Sequence, residues 1–447
     1  MNFEAFIVLR ANWRRITLLA VPIVLTSANS PHRGLSEGGQ GWVSHVSDKV
    51  DFWGSILPII TLDDSMRISF ILSLISLSVY WFGLATLISR YQFSNREFLG
   101  ILLLGSFGAV FSQQNLRDAF LLSFSMLSLG LVEKYSDSRV FLHRYLFLLP
   151  LILAVTFKYP SAIAITILIV SRFHLKMSTL NLRNTISIFL ASGLIILSGV
   201  ILDKGIAKSF SLEKGFVEQS VMYYDLASFY CWSEDRSTRS SALEALMPSL
   251  ANGNPQDICL SHRPNAWIYL VSGGNFRDEG VKAPLTQLSG DKDLSKVSHL
   301  RGGWLRTIAH DPVDYIQFKL IAATQILTVG NPFLFASQTF VNPQIPSNLN
   351  DHLWLPISLI IMLVGKLYFF SEIAIFTVFF FILKGDRFPD RNKDFIFKLF
   401  WINLINVIVL SISFVSDEAR YVFPLLLLSY LLVLVNHISS RSQRDSQ

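Results

Sequence analysis

The chain predicts an all-α, polytopic membrane protein with about 10–12 transmembrane helices and one extracytoplasmic soluble domain of mixed or α-rich structure. Three observations predict it. The 447 residues are 51% hydrophobic and only 16% charged, too apolar for an ordinary soluble protein. The apolar residues come in nearly uncharged blocks of about 15–20, enough to cross about 30 Å of hydrocarbon, rather than in an amphipathic period. Only one long stretch, Asp203 to Asp314, is polar, with 12 Lys/Arg against 14 Asp/Glu and both cysteines of the chain. It separates a membrane domain over 1–202 from a second over 315–447, and is itself the soluble domain over 203–314.

The elements follow in order. A basic start with Arg10, Arg14 and Arg15 precedes the apolar core Ile16 to Leu25. This resembles a signal peptide, but with so many later spans it reads as an uncleaved first helix with its N-terminus in the cytoplasm. Residues 29–66 form an acidic outer loop whose middle interleaves Trp42, Val46, Phe52 and Trp53 with His45, Asp48 and Asp51. That middle reads either as a helix lying on the membrane surface or as a loop whose aromatics cover the bundle. Spans are expected over 68–89, 98–111 and 119–132, a tight pair over 145–157 and 161–170 turns at Lys158-Tyr159-Pro160, and 185–202 delivers the polar domain. Alternation then puts the Arg/Lys-rich short loops inside and the polar domain outside, as the positive-inside rule requires.

Beyond Asp314 two models stand. Either 315–335 lies in the outer interface, or it crosses and 353–383 is a hairpin bent near Gly365-Lys366; the counts are about 10 and about 12 spans. Both bring the last two spans, 399–414 and 422–435, to a cytoplasmic C-terminus. The signal-like start and compact loops point to a bacterial inner (cytoplasmic) membrane. The net charge of +6 is spread over those short loops and does not argue for a nucleic-acid partner. Cys231 and Cys259 form a disulfide if their segment faces an oxidising compartment; otherwise they are two free buried thiols.

This topology gathers polar groups on the outer face. Glu37, Asp48 and Asp51 lie in the first loop, Arg117 and Asp118 in the second, Lys158 in the third and Arg420 in the last. Ionisable groups near hydrocarbon are costly unless paired or used. Lys and Arg there suit a phosphate at headgroup level, and a carboxylate suits a general base for a sugar hydroxyl or a ligand for Mg or Mn. Asp118 is the candidate metal ligand. Competing structural roles are a helix cap or local ion pair for Arg117-Asp118 and interfacial anchoring for Arg420. No zinc spacing, Walker loop, dinucleotide fingerprint or Gly-x-Ser-x-Gly elbow is present.

Four features carry a resemblance. They are the long acidic loop after the first span, Asn115-Leu116-Arg117-Asp118-Ala119-Phe120 opening a span, the amphipathic Trp304 to Ile316 with Pro312-x-x-Tyr315, and Arg420-Tyr421-Val422-Phe423-Pro424 opening the last span. Together they resemble the GT-C class of multi-span membrane glycosyltransferases. The resemblance implies transfer of a hexosyl or pentosyl group from a polyprenyl-(di)phosphate donor to a glycan, lipid or protein acceptor of the cell envelope, as in polysaccharide biosynthesis. It implies that Glu37, Asp48 or Asp51 activates the acceptor hydroxyl and that Arg117, Lys158 and Arg420 stabilise the departing lipid phosphate. The layout is also similar to O-antigen-type polymerases or ligases, which concentrate arginines in outer loops. A non-enzymatic lipid or solute transporter is the third class, and it calls for charged or broken helices at mid-membrane.

Overall fold

Within the computed structural model every apolar block that is described is helical. The described residues are 65–91, 93–112, 117–177, 182–209, 216, 218–251, 254–262, 270–271, 283–328, 371–385, 390–413 and 422–444. The first loop with Glu37, Asp48 and Asp51, the first apolar core, the bend at Gly365-Lys366 and Arg420 lie outside them. Among the described residues there is no strand, only an isolated bridge between Leu250 and Leu285. The fold is all-α, as expected from the blocks of Leu, Ile and Phe, whose backbone groups a helix satisfies locally.

The first bundle consists of α1 (Ser65–Ile88), α2 (Asn95–Ser112), α3 (Arg117–Tyr135), the short α4 (Phe141–Tyr145), α5 (Leu148–Phe157), α6 (Tyr159–Met177) and α7 (Leu182–Ser209). Lys158 is extended (φ −164°, ψ 95°) between α5 and α6. Pro160 explains the break: a proline is compatible with the first turn of α6 but would clash inside a helix continuing from α5. α7 runs past Asp203 to Ser209, several residues deeper into the polar stretch than the expected span end at 202. Two later helices, α14 (Asp390–Ser413) and α15 (Phe423–Arg444), join this bundle. Leu425 to Ser429 and Leu431 and Leu432 of α15 are all buried, so this helix is covered on every side and forms the middle of the core.

α1 and α3 meet at backbone contact. A Cβ on Gly83 would lie 2.5 Å from the Leu127 backbone nitrogen, and one on Gly130 would strike the Gly83 carbonyl. Substituting Gly130→Ala is therefore expected to force the helices apart and destabilise the protein by about 1–3 kcal/mol. Gly193→Ala, on an open face of α7 with nothing within 4 Å, should instead stabilise by up to about 1 kcal/mol. Thermal unfolding of the two variants in the same detergent checks the opposite signs.

The polar stretch folds around its own small core. It contains α8 (Gln219–Trp232), α9 (Arg236–Leu246), α10 (Gln256–Ser261) and α11 (Leu294–His310), with Met222, Tyr223, Leu226, Phe229, Leu246 and Leu300 buried together. Asp235 caps α9, its carboxylate accepting from the Thr238 amide at 2.8 Å. These bonds hold the Asp235 carboxyl well below the usual range. The amphipathic run from Gly303 to Pro312 is the second half of α11 and the start of α12 (Pro312–Thr328). α12 joins the two cores: Phe318 and Tyr315 pack into the polar stretch, while Ile326 packs into the bundle. The remaining helix, α13 (Glu372–Lys384), starts at a Ser371 cap and packs Phe376 against Phe400 of α14 at 5.0 Å.

Two helical segments, Asn184–Gly205 and Lys393–Ser413, are long and apolar enough to cross a membrane. The first is only 22% buried over its apolar window and leaves Phe189, Leu190, Leu194 and Ile201 uncovered.

Candidate functional site

Two of the singled-out residues meet where α3 begins. The Lys158 ammonium lies 2.9 Å and 3.0 Å from the two carboxylate oxygens of Asp118. Both side chains are buried, at 8% and 3% exposure, so the attraction is poorly screened. The break between α5 and α6 presents Lys158, and the first turn of α3 presents Asp118. Phe157 stacks on Phe120 at 5.0 Å and on Phe124 at 5.6 Å, which fixes the break against α3. The next residue, Tyr159, donates its hydroxyl to the Asp203 carboxylate of α7. Asp118, Lys158, Tyr159 and Asp203 thus line the end of the bundle from which α7 enters the polar stretch. Arg117 is the first residue of α3, on the same end.

In this geometry the candidate metal ligand Asp118 has a cationic partner. The Asp118 carboxylate already holds a full positive charge, so the pair is neutral, and a dication would have to displace the ammonium. Among the described residues no group of three or more His, Cys, Asp or Glu side chains could hold a metal ion. Asp118 also lies within α3 rather than before it, so it is an ion-pair partner in the first turn and not the N-cap.

The polar stretch carries a second buried pair, which lies 94 residues apart in sequence and was not singled out. Asp225 of α8 lies 2.7 Å from the Lys319 ammonium of α12 and accepts from Trp304 Nε1 of α11 at 3.0 Å. Lys319 also donates to the Ile412 carbonyl at 3.3 Å, and its ammonium lies 5.3 Å from the Tyr315 ring centroid. One lysine therefore ties α8, α12 and the last turn of α14 together. Burial, the largest influence, pushes the Asp225 carboxyl up, while Lys319 and Trp304 draw it down. The only sequence signal was a lysine inside an otherwise apolar helix.

Beside this pair the cysteines are joined. Cys231 and Cys259 form a disulfide with an S–S distance of 2.05 Å and Cα atoms 5.4 Å apart, and among the described residues no cysteine is free. It fastens the end of α8 to α10. There Trp232 stacks on His262 at 4.5 Å and Ser228 Oγ meets His262 Nε2 at 3.0 Å.

The opposite end of the bundle holds a structural network. Arg172 of α6 grips Glu133 of α3 at 2.5 Å, and the Tyr91 hydroxyl donates to the same carboxylate. Arg90 donates to the Glu133 carbonyl and to Asp137, both at 2.8 Å. Both Glu133 carboxylate oxygens are taken by protein donors, which suits a lock between helices rather than a ligand site. Comparison with known proteins returns no family model, no curated protein and no solved structure that matches this chain.

Proposed function

We propose that the chain is a polytopic membrane glycosyltransferase that moves a sugar from a polyprenyl-(di)phosphate donor to an envelope glycan, lipid or protein on the outer face of a bacterial inner membrane. The reading is supported by the two helices long enough to cross a bilayer and by the uncovered apolar face of α7. The observation that carries it is the Lys158–Asp118 pair at the bundle end beside the polar stretch. A primary ammonium kept in place at low exposure by one carboxylate is pre-ordered for a phosphate oxygen, at little cost in side-chain freedom.

In this reaction the anomeric C–O bond to the phosphate breaks and the phosphate leaves with the electron pair. A new C–O bond forms to the acceptor oxygen, whose proton passes to a carboxylate of Glu37, Asp48 or Asp51 in the first outer loop. Lys158, with Arg117 and Arg420, meets the charge that develops on the departing phosphate. Asp118 is a positioning residue, because it reaches the phosphate only through Lys158. The polar stretch covers the cavity and holds the acceptor.

Binding of polyprenyl phosphate to the full chain in detergent tests this. The double variant Lys158→Met/Asp118→Asn removes the charge without stranding a buried partner. It should bind about 10–100-fold more weakly, the worth of a charged hydrogen bond. Uncharged polyprenol should bind both proteins alike. Equal affinity of wild type and double variant for the phosphate, at matched thermal stability, would remove Lys158 from the site and with it the observation on which the reading rests.

A further inference from the structure

Three buried groups that neither the ion pairs nor the proposed reaction use, Glu372, Asn403 and Asn406, lie where α13, α14 and α15 pack. Glu372, the first residue of α13, is completely buried. Its Oε1 accepts from Asn406 Nδ2 of α14 at 3.3 Å, whereas Oε2 has no hydrogen-bond partner. No ion pair in the described structure involves it. One turn earlier on α14, Asn403 donates to the Leu399 carbonyl at 2.8 Å and to Ser429 Oγ of α15 at 3.1 Å. Asn403 and Asn406 are likewise fully buried, and the Oδ1 of each has no partner. Among the described residues Tyr430 of α15 is a titratable group close enough to interact with the carboxyl.

Three oxygen acceptors without donors, one of them on a carboxyl, are expensive to bury. Three unmatched acceptors and a single negative charge are what a cation satisfies. We propose that Glu372, with Asn403 and Asn406, forms a buried site for one exchangeable monovalent cation, taken as a proton on the carboxyl or as a sodium ion among the three oxygens. Charge selects the class. One carboxylate neutralises one positive charge, and a divalent ion would leave an uncompensated charge in the packed interior. Hard oxygen donors exclude soft metals. Asn403 and Asn406 lie roughly 15–20 Å along the helix from Lys393, by the helical rise, near the middle of the segment able to cross a membrane. A site at that depth is where ion-coupled membrane proteins place their coupling ion. It is independent of the sugar-transfer reading, since none of its residues belongs to the Lys158 cluster.

The hydrophobic reagent dicyclohexylcarbodiimide tests it on the full chain in detergent, with peptide mass spectrometry as the readout. The protonated carboxyl adds across one C=N bond of the reagent, its proton passing to nitrogen, and the O-acylisourea rearranges to a stable N-acylurea with no leaving group. Glu372 should be labelled at acid pH, with labelling falling about tenfold per pH unit above its midpoint. Glu133, held by Arg172, is the internal control and should remain unlabelled. Suppression by sodium chloride relative to choline chloride at one pH identifies sodium as a ligand. Suppression by alkaline pH alone identifies the proton. Asn403→Ala and Asn406→Ala should each lessen the sodium protection several-fold while leaving acid labelling intact. The absence of label on Glu372 at acid pH, or labelling indifferent to both sodium and pH, overturns the proposal.

Discussion

Replacing Lys319→Met is expected to destabilise the polar stretch by about 3–5 kcal/mol, the usual consequence of stranding a buried charge. Asp225 is buried to 1% exposure, and among the described residues Lys319 is its cationic partner. Without the ammonium the carboxylate keeps, among the described residues, the Trp304 indole as a donor. The double variant Lys319→Met/Asp225→Asn should recover most of the loss, because an asparagine oxygen still accepts from Trp304 and no net charge stays buried. Thermal unfolding followed by tryptophan fluorescence checks this, together with the rate of proteolysis within 203–314. A double variant no more stable than the single one would show that Lys319 acts through packing, along its apolar stem against Tyr315, and not through its charge.

Removing the Cys231–Cys259 crosslink should cost about 3–4 kcal/mol by the loop-closure estimate for a separation of 28 residues. The loss should be felt where α8 meets α10, since the Trp232–His262 stack and the Ser228–His262 hydrogen bond sit beside the bond. A Cys231→Ala/Cys259→Ala variant measured against wild type by thermal unfolding gives the size of the effect. Thiol counting on the wild type provides a separate check. Labelling by a membrane-impermeant maleimide should require prior reduction and should then reach two cysteines from the outer side of sealed vesicles. Labelling without reduction would contradict the bond. Labelling only after the vesicles are broken would place the polar stretch on the cytoplasmic side and remove the basis for an outer-face site.

Both effects involve contacts that link distant parts of the chain, and their legibility differs. The two cysteines were visible as a candidate pair because they are the only two and share the one polar stretch. Asp225 and Lys319 were not, because a charge is recognised as buried only once the neighbours that cover it are known. Asp118 and Lys158 were each marked as chemistry-bearing, but as a weak metal ligand and a phosphate contact. Their mutual pairing was not foreseen in either role. Glu372, Asn403 and Asn406 escaped notice for a related reason. Read in sequence, Glu372 is one acid inside an apolar hairpin and the asparagines are ordinary polar interruptions. Only the packing of three helices buries them where α13, α14 and α15 meet.

The helices themselves needed little more than the residue order. Long apolar blocks satisfy their backbone within themselves as helices, and Lys158-Tyr159-Pro160 marks its own break because proline is compatible with a first turn and not with a helix interior. Such local rules act within about four residues, so the sequence by itself determined the all-α class, the break at Lys158-Tyr159-Pro160 and the single polar stretch. The partners of Asp118, Glu133, Asp225 and Glu372 lie between 34 and 94 residues away. Which of these acids meets a cation and which is left with an open oxygen depends on helix contacts such as the one Gly83 and Gly130 permit. That was decided by the tertiary structure alone, because burial and charge pairing are properties of the packed neighbours and not of any local run of residues.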